Sequence, residues 1–247
     1  MAGTIAISGK GGSGKTTLAA MMTRLLLERS DRAVLAIDAD PNSCLGLMMG
    51  VEPECTIAEL REEARVKPAG GGDKVRSLEY GIEAAITEAK GFDLLTMGRP
   101  EGPNCYCAVN NLLRRFMDKL RDRYGFVIID NEAGMEHLSR RTTNNVDLLC
   151  ITAEPTPIGE VTARRIFELA RKLPISVDEV GIIWNRTDAG GELDGIETFG
   201  CVPYDGALVD ISMRGGCIFD LDADSAALAA AREILERKSG KLAVKTG

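Results

Sequence analysis

Short β-branched and apolar runs recur along the chain and alternate with longer stretches of helical period. The runs at 4–8, 34–38, 93–97, 126–130, 148–153, 179–184 and 197–201 do not interleave apolar with polar residues. That pattern predicts strands buried on both faces. Helical stretches at 15–29, 56–65, 108–123, 158–172 and 225–237 lie between them. Thr56 followed by Glu59 reads as a capping box at the start of one helix. Strand–helix alternation predicts an α/β fold with a mostly parallel central sheet, helices on both faces and right-handed crossovers. No repeat and no linker divides the chain, so 1–247 reads as a single domain. The stretch 66–79, with Gly70-Gly71-Gly72, reads as an inserted flexible loop, 190–195 as a second loop, and the tail after about residue 238 as disordered.

Between the first strand and the first helix stands Gly9-Lys10-Gly11-Gly12-Ser13-Gly14-Lys15-Thr16. It fits the P-loop spelling G-x-x-x-x-G-K-[ST] in the strand-to-helix context that the motif requires. Glycines let backbone N–H groups curl around nucleotide phosphates, and the helix start adds a positive dipole end. Lys15 is placed to reach the β- and γ-phosphates, and the Thr16 hydroxyl to ligate Mg²⁺. The reading is therefore a P-loop NTPase that binds ATP and Mg²⁺ through Gly9, Lys10, Gly11, Gly12, Ser13, Gly14, Lys15, Thr16 and Thr17.

Acidic residues close two later strands. The second ends in Asp38-Ala39-Asp40-Pro41, at the sheet edge where open parallel sheets bind ligands. Asp38 could hold a lysine or the magnesium shell. The run 126–129 ends in Asp130, the expected carboxylate holding Mg²⁺ through water, and leads into Asn131-Glu132-Ala133-Gly134. A lone aspartate at a strand end is often only a helix cap; the order of loop, first acidic segment and second acidic segment argues for a site.

Charge narrows the classes. With 30 Lys and Arg against 37 Asp and Glu, the net charge is −7. This argues against a nonspecific nucleic-acid binder, which carries a basic footprint. Apolar stretches fall far short of the roughly 20 residues a membrane span needs. The chain enters Thr4-Ile5-Ala6-Ile7 with no signal-peptide pattern, so a cytoplasmic location with no membrane and no nucleic-acid partner is expected. Seven cysteines, an odd number, make a disulfide framework unexpected. Most are expected to be small buried residues, Cys44 among them, although Cys44 could instead serve as a transient metal ligand.

Cys105 and Cys107 differ. They follow the proline- and glycine-rich run 98–104. Two thiolates can bind a soft or borderline ion, but Zn²⁺ and Ni²⁺ sites take four ligands. A two-fold dimer would supply both cysteines twice and close an S₄ site between subunits. The bland alternative is two unrelated buried cysteines.

Lys10, in Lys10-Gly11-Gly12-Ser13-Gly14-Lys15-Thr16-Thr17, gives the loop its deviant form. It resembles the dimeric P-loop ATPases that include MinD, ParA and the nitrogenase iron protein. The resemblance implies that Lys10 crosses to the partner's nucleotide and stabilises charge on the transferred phosphoryl group. It implies that Asp40 orients the attacking water, that Ala133-Gly134 belongs to a second switch, that Asn185 reads the adenine edge, and that Pro203-Tyr204 lies beside the base. Asn185 could instead be an ordinary turn residue. A closer similarity joins the loop, Asp38-Ala39-Asp40-Pro41-Asn42-Ser43-Cys44-Leu45-Gly46, the run from Met97 to Cys107, and Asp130-Asn131-Glu132-Ala133-Gly134-Met135-Glu136-His137-Leu138. These resemble the CooC/AcsF nickel-insertion ATPases. That implies a homodimer holding Ni²⁺ or Zn²⁺ at Cys105 and Cys107, with ATP hydrolysis driving delivery to carbon monoxide dehydrogenase or acetyl-CoA synthase. The single histidine, His137, leaves no His-rich storage tail. His137 could sense nucleotide, touch metal or pack at a helix start. Met21-Met22, Met48-Met49 and Met135 are expected in the core or at a dimer surface. Two other readings stay open: a MinD/ParA-like positioning ATPase, and an iron–sulfur carrier of the same fold.

Overall fold

The computed structural model describes residues 2–29, 31–66, 80–99, 123–132, 145–172 and 175–242. The strands are β1 (Gly3–Gly9), β2 (Val34–Ala39), β3 (Ile86–Glu88), β4 (Phe92–Thr96), β5 (Phe126–Asn131), β6 (Asn145–Ala153), β7 (Ser176–Asn185) and β8 (Glu197–Val202). The helices that matter below are α1 (Lys15–Leu27), α2 (Leu45–Met49), α3 (Ile57–Val66), α4 (Pro157–Ala170), α5 (Gly206–Arg214) and α6 (Ala226–Leu242).

One sheet in the order β3-β4-β2-β5-β1-β6-β7-β8 runs through the middle. All of its pairings are parallel except β3–β4, an antiparallel edge. The non-alternating apolar runs have their physical reason in two cores. Leu35, Ile37, Val127, Ile129, Leu149 and Ile151 face one core, shared with Ala163 and Ile166 of α4. Ile5, Ile7, Ala36, Ile128, Leu148 and Cys150 face the other, shared with α1 and α6. Both sheet faces exclude water, so every second residue needs an apolar partner as well.

The order also makes the site. β1 lies between β5 and β6, so the connections from β1 and from β5 leave in opposite directions at the same sheet edge. Register brings the strand ends level: Ile7 pairs with Asp130, Asp130 with Asp38, and Gly9 with Thr152. A crevice at such a switch point is where this architecture binds ligands.

Several elements differ from expectation. α6 continues past 237 to Leu242, which is buried, and its carbonyl packs against Gly3. Residues 238–242 are therefore helix and not loose tail, because Leu242 has apolar core to cover. β3, α2 and α5 were not expected; α2 and β3 are too short to carry a period, and α5 buries Ile211 alone. The capping box forms as read: Glu59 accepts from the Thr56 amide at 2.7 Å, and Thr56 Oγ1 accepts from the Glu59 amide at 3.2 Å. Met21, Met22 and Met49 are buried, and Met48 packs against the same core. Most of the cysteines were expected to be buried. Among the described ones Cys150 is buried, Cys55, Cys201 and Cys217 are half-buried, and Cys44 is exposed. Cys44 sits on the loop between β2 and α2, above the sheet edge, and has no core to enter. The predicted helix 108–123 (apart from Arg123), the loop residues 67–79, Cys105, Cys107, Gly134, Met135 and His137 lie outside the described residues.

Candidate nucleotide-binding site

The loop that follows β1 is shaped by its own sequence. The Ser13 amide donates to the Lys10 carbonyl at 3.1 Å, closing a turn. Gly12 and Gly14 adopt left-handed backbone, with φ of 78° and 92°. A Cβ on Gly11 or Gly12 would meet nothing within 4 Å, so this side of the loop is open to a ligand. Gly14 is the N-cap of α1 and has no side chain to cap it, which leaves the first helical N–H groups for an anion. Lys15 follows, buried, with Nζ donating to the Lys10 carbonyl at 3.3 Å.

Thr16 and Asp130 meet across the sheet edge. Thr16 Oγ1 donates to Asp130 Oδ2 at 2.6 Å, although 114 residues separate them. Asp130 Oδ1 is buried and has no hydrogen-bond partner among the described residues. A hydroxyl beside a carboxylate with one open buried oxygen is a hard-oxygen donor set, and it fits Mg²⁺ held partly through water. Burial pushes the Asp130 carboxyl up to about 7; the Thr16 hydrogen bond and Lys15 work against this, while the Asp38 charge adds to it.

Asp38 is buried too, and burial pushes it up to about 6 against the hydrogen bonds it accepts. Its Oδ2 accepts from the Leu45 amide at 2.7 Å and its Oδ1 from the Asp40 amide at 3.2 Å. Both oxygens thus fasten the loop 40–45. Asp40 Oδ1 accepts from the backbone and side-chain nitrogens of Asn42 at 2.9 and 2.8 Å, which leaves Oδ2 for other work. Cys44, in the same loop, has its thiol pushed up by partial burial and by the charges of Asp38, Asp40 and Asp130.

A carboxyl raised in the fold binds more protons folded than unfolded. Its stabilising contribution is complete below the unfolded value near 3.9 and is lost as pH rises through about 7 for Asp130. The nucleotide-free protein is expected to melt at higher temperature as pH falls from about 8 to about 5, and Asp130→Asn to show a shallower slope. Parallel melting series check this; equal slopes in both proteins would refute it.

A cleft of about 390 Å³ opens beside the loop, with Gly14, Thr17 and Asn185 on one side and Pro203, Tyr204 and Leu208 among the residues on the other. Asn185 and Pro203, 18 residues apart in the sequence, thus line one cleft. Asn185 Nδ2 donates to the Ser13 carbonyl at 2.8 Å. That bond fixes the amide's orientation and leaves Oδ1 as an acceptor, suited to an exocyclic amine. On the other flank of the loop a smaller cleft of about 170 Å³ is lined by Lys10, Ser13, Thr152, Glu154 and Arg186. Sequence reasoning did not single out the Glu154–Arg186 ion pair, which closes at 2.6 Å. Arg186 stands at φ of 60° and lines both clefts. Nothing in a lone Glu and a lone Arg 32 positions apart announces such a pair.

Cradle, buried lysine and Thr16–Asp130 pair together define a nucleotide-binding P-loop protein. The chain belongs to the family of the CobQ/CobB/MinD/ParA nucleotide binding domain, which matches residues 4–216. An uncharacterized ATP-binding protein of Methanocaldococcus jannaschii is 37% identical over 246 residues, covering 94% of this chain and 97% of that protein. The carbon monoxide dehydrogenase accessory protein CooC of Rhodospirillum rubrum is 32% identical over 245 residues, covering 88% of this chain and 89% of its own. Among solved structures, the MinD cell division protein of Aquifex aeolicus superposes with a TM-score of 0.70 at 24% identity, covering 97% of each chain, which speaks to the fold. No helix among the described residues is long and apolar enough to cross a membrane. Also among the described residues, no group of three or more His, Cys, Asp and Glu side chains could hold a metal ion. The predicted nickel or zinc ligands, Cys105 and Cys107, lie outside the described residues.

Proposed function

We propose that this protein is an ATP-hydrolysing, dimerising metallochaperone that delivers nickel to carbon monoxide dehydrogenase or acetyl-CoA synthase. One observation carries the reading. Gly98 and Arg99 line a cleft of about 350 Å³ together with Ser43 of the loop after β2. The segment that leads to Cys105 and Cys107 therefore leaves the sheet against the loop that carries Asp40. A change in that loop on nucleotide turnover would be felt at Gly98 and Arg99, which precede Cys105 and Cys107 in the sequence. The 32% identity with CooC supports the same client class.

In this reading the P-loop amides and Lys15 bind the β- and γ-phosphates of ATP. Lys10 of each chain stabilises charge on the partner's transferred phosphoryl group. Thr16 and Asp130 hold Mg²⁺, which supplies charge neutralisation on the phosphates. Asp38 holds the first switch loop by its Asp40 and Leu45 amides, and Asp40 orients the attacking water. Asn185 and Pro203 receive the adenine. The cargo ion sits between two copies of Cys105 and Cys107. By linkage, if nucleotide and metal favour the same dimer geometry, each tightens the other.

Anaerobic titration with Ni²⁺ or Zn²⁺, with and without ATP, tests this through elemental analysis and solution mass. The expected result is one ion per two chains, tighter with ATP, and lost in the Cys105→Ser/Cys107→Ser double variant with nucleotide affinity nearly intact. Tight stoichiometric metal in the double variant, or a chain that stays monomeric under all conditions, would sink the proposal. ATP-dependent pelleting with liposomes or DNA would favour a positioning ATPase instead.

A further inference from the structure

The wall of the larger cleft raises a question of anchorage. α5 supplies Leu208, Val209, Ser212 and Met213 to that wall, yet Ile211 is its one buried side chain. Val209 is 41% and Met213 82% exposed, so apolar burial holds this helix weakly. Its C-terminal end is tied through the chain to Ile218, which is fully buried. On its N-terminal side Val202 at the end of β8 is buried and Leu208 packs partly buried against the same core, so Pro203, Tyr204 and Asp205 bridge two apolar anchors.

A polar weld stands there. Asp205 Oδ1 caps α5 by accepting from the Ala207 amide at 3.0 Å. Its other oxygen accepts from Ser225 Oγ at 2.6 Å and from the Ala227 amide at 3.4 Å. Ser225 Oγ in turn accepts from the Leu228 amide at 3.2 Å. One carboxylate therefore ties the exposed α5 to the start of α6, whose Ala227, Leu228 and Ala231 are fully buried in the core. These bonds lower the Asp205 carboxyl below its ordinary value, the Ser225 hydroxyl contributing most, so it is ionised at neutral pH. Charged acceptors make the stronger hydrogen bonds of this kind.

The geometry points to Asp205 as the positioning residue of the base pocket, acting by locking the Pro203–Tyr204 wall and α5 onto α6. This rests on the reading that the cleft beside Asn185 takes the adenine. Asp205 lines the cleft, and its hydrogen bonds among the described residues run to α5 and to the start of α6 rather than to the phosphate loop, so its effect falls on the base and not on the phosphates.

The test compares Mg²⁺-dependent binding of ADP and of pyrophosphate by calorimetry in the wild type and in Asp205→Ala, Ser225→Ala and Asn185→Ala. Ser225→Ala breaks the weld while leaving the α5 cap in place, so it serves if Asp205→Ala folds poorly. Both weld variants are expected to lose about tenfold in ADP affinity, with pyrophosphate held within about twofold. An unchanged ADP-to-pyrophosphate ratio in both weld variants, alongside a lowered ratio in Asn185→Ala, would overturn the role of Asp205 and leave the base pocket standing. A parallel loss of both ligands in the weld variants would also overturn it, since that is general loosening. A wild type that binds ADP no tighter than pyrophosphate, or an Asn185→Ala variant with an unchanged ratio, would remove the base-pocket reading itself and the inference with it.

Discussion

Lys15→Ala is expected to weaken ATP binding by at least about a hundredfold and to abolish turnover, while the nucleotide-free protein keeps its melting temperature within a few degrees. The two halves of that result have one cause. Lys15 is the first residue of α1, is 6% exposed, and has a neutral carbonyl as hydrogen-bond partner for its ammonium. A buried cation carries a desolvation penalty of several kcal/mol, which the Lys10 carbonyl and the attraction to the Asp130 carboxyl offset in part, so removing it costs the empty fold little. Phosphates would offset it through charge-assisted hydrogen bonds in a site of low dielectric. Calorimetric titration with ATP and a thermal melt measure both halves. A variant that binds ATP like the wild type, or one that unfolds without nucleotide, would contradict the argument.

Gly14→Ala has the second largest expected effect, and here stability and binding fall together. Gly14 stands at φ 92°, a region that costs an L-residue about 1–2 kcal/mol. An added Cβ would lie 2.2 Å from Asn185 Nδ2, closer than real Cβ contacts come. Asn185 must then leave its 2.8 Å bond to the Ser13 carbonyl, which undoes the orientation of the loop and of the Asn185 amide at once. ATP and ADP affinities are expected to drop by about a hundredfold or more, and the melting temperature by several degrees, given roughly 2–4 °C per kcal/mol in a chain of this size. Gly11→Ala is the control, because its Cβ would meet nothing within 4 Å, so its melting temperature should hold. Equal melting temperatures for Gly14→Ala and the wild type would contradict the clash.

What could be read in the chain was whatever is local. The P-loop is eight contiguous residues, and its strand and helix context sits on either side of it. The buried strands declare themselves because both of their neighbours are apolar layers. α5 did not, since its nine residues span too few turns for a clear period and its apolar Val209 and Met213 stay exposed. Cys44 misled for a related reason: cysteine composition favours burial, but position on the loop above the sheet edge decides exposure, and the sequence gives no coordinate for that loop. The continuation of α6 to Leu242 depends on a core that Leu242 covers from far along the chain.

The chain by itself determined the class of fold, the phosphate cradle and the acidic strand ends, because each depends on residues that are neighbours or nearly so. Tertiary structure alone decided the pairings: Thr16 with Asp130, Asn185 with Ser13, Asp38 with the Leu45 amide, Glu154 with Arg186, and Asp205 with Ser225. Most of these close over tens of residues or more, and which polar group meets which is set by strand order and register. Those follow from burying both faces of the sheet at once, a condition that no local stretch of sequence can satisfy alone.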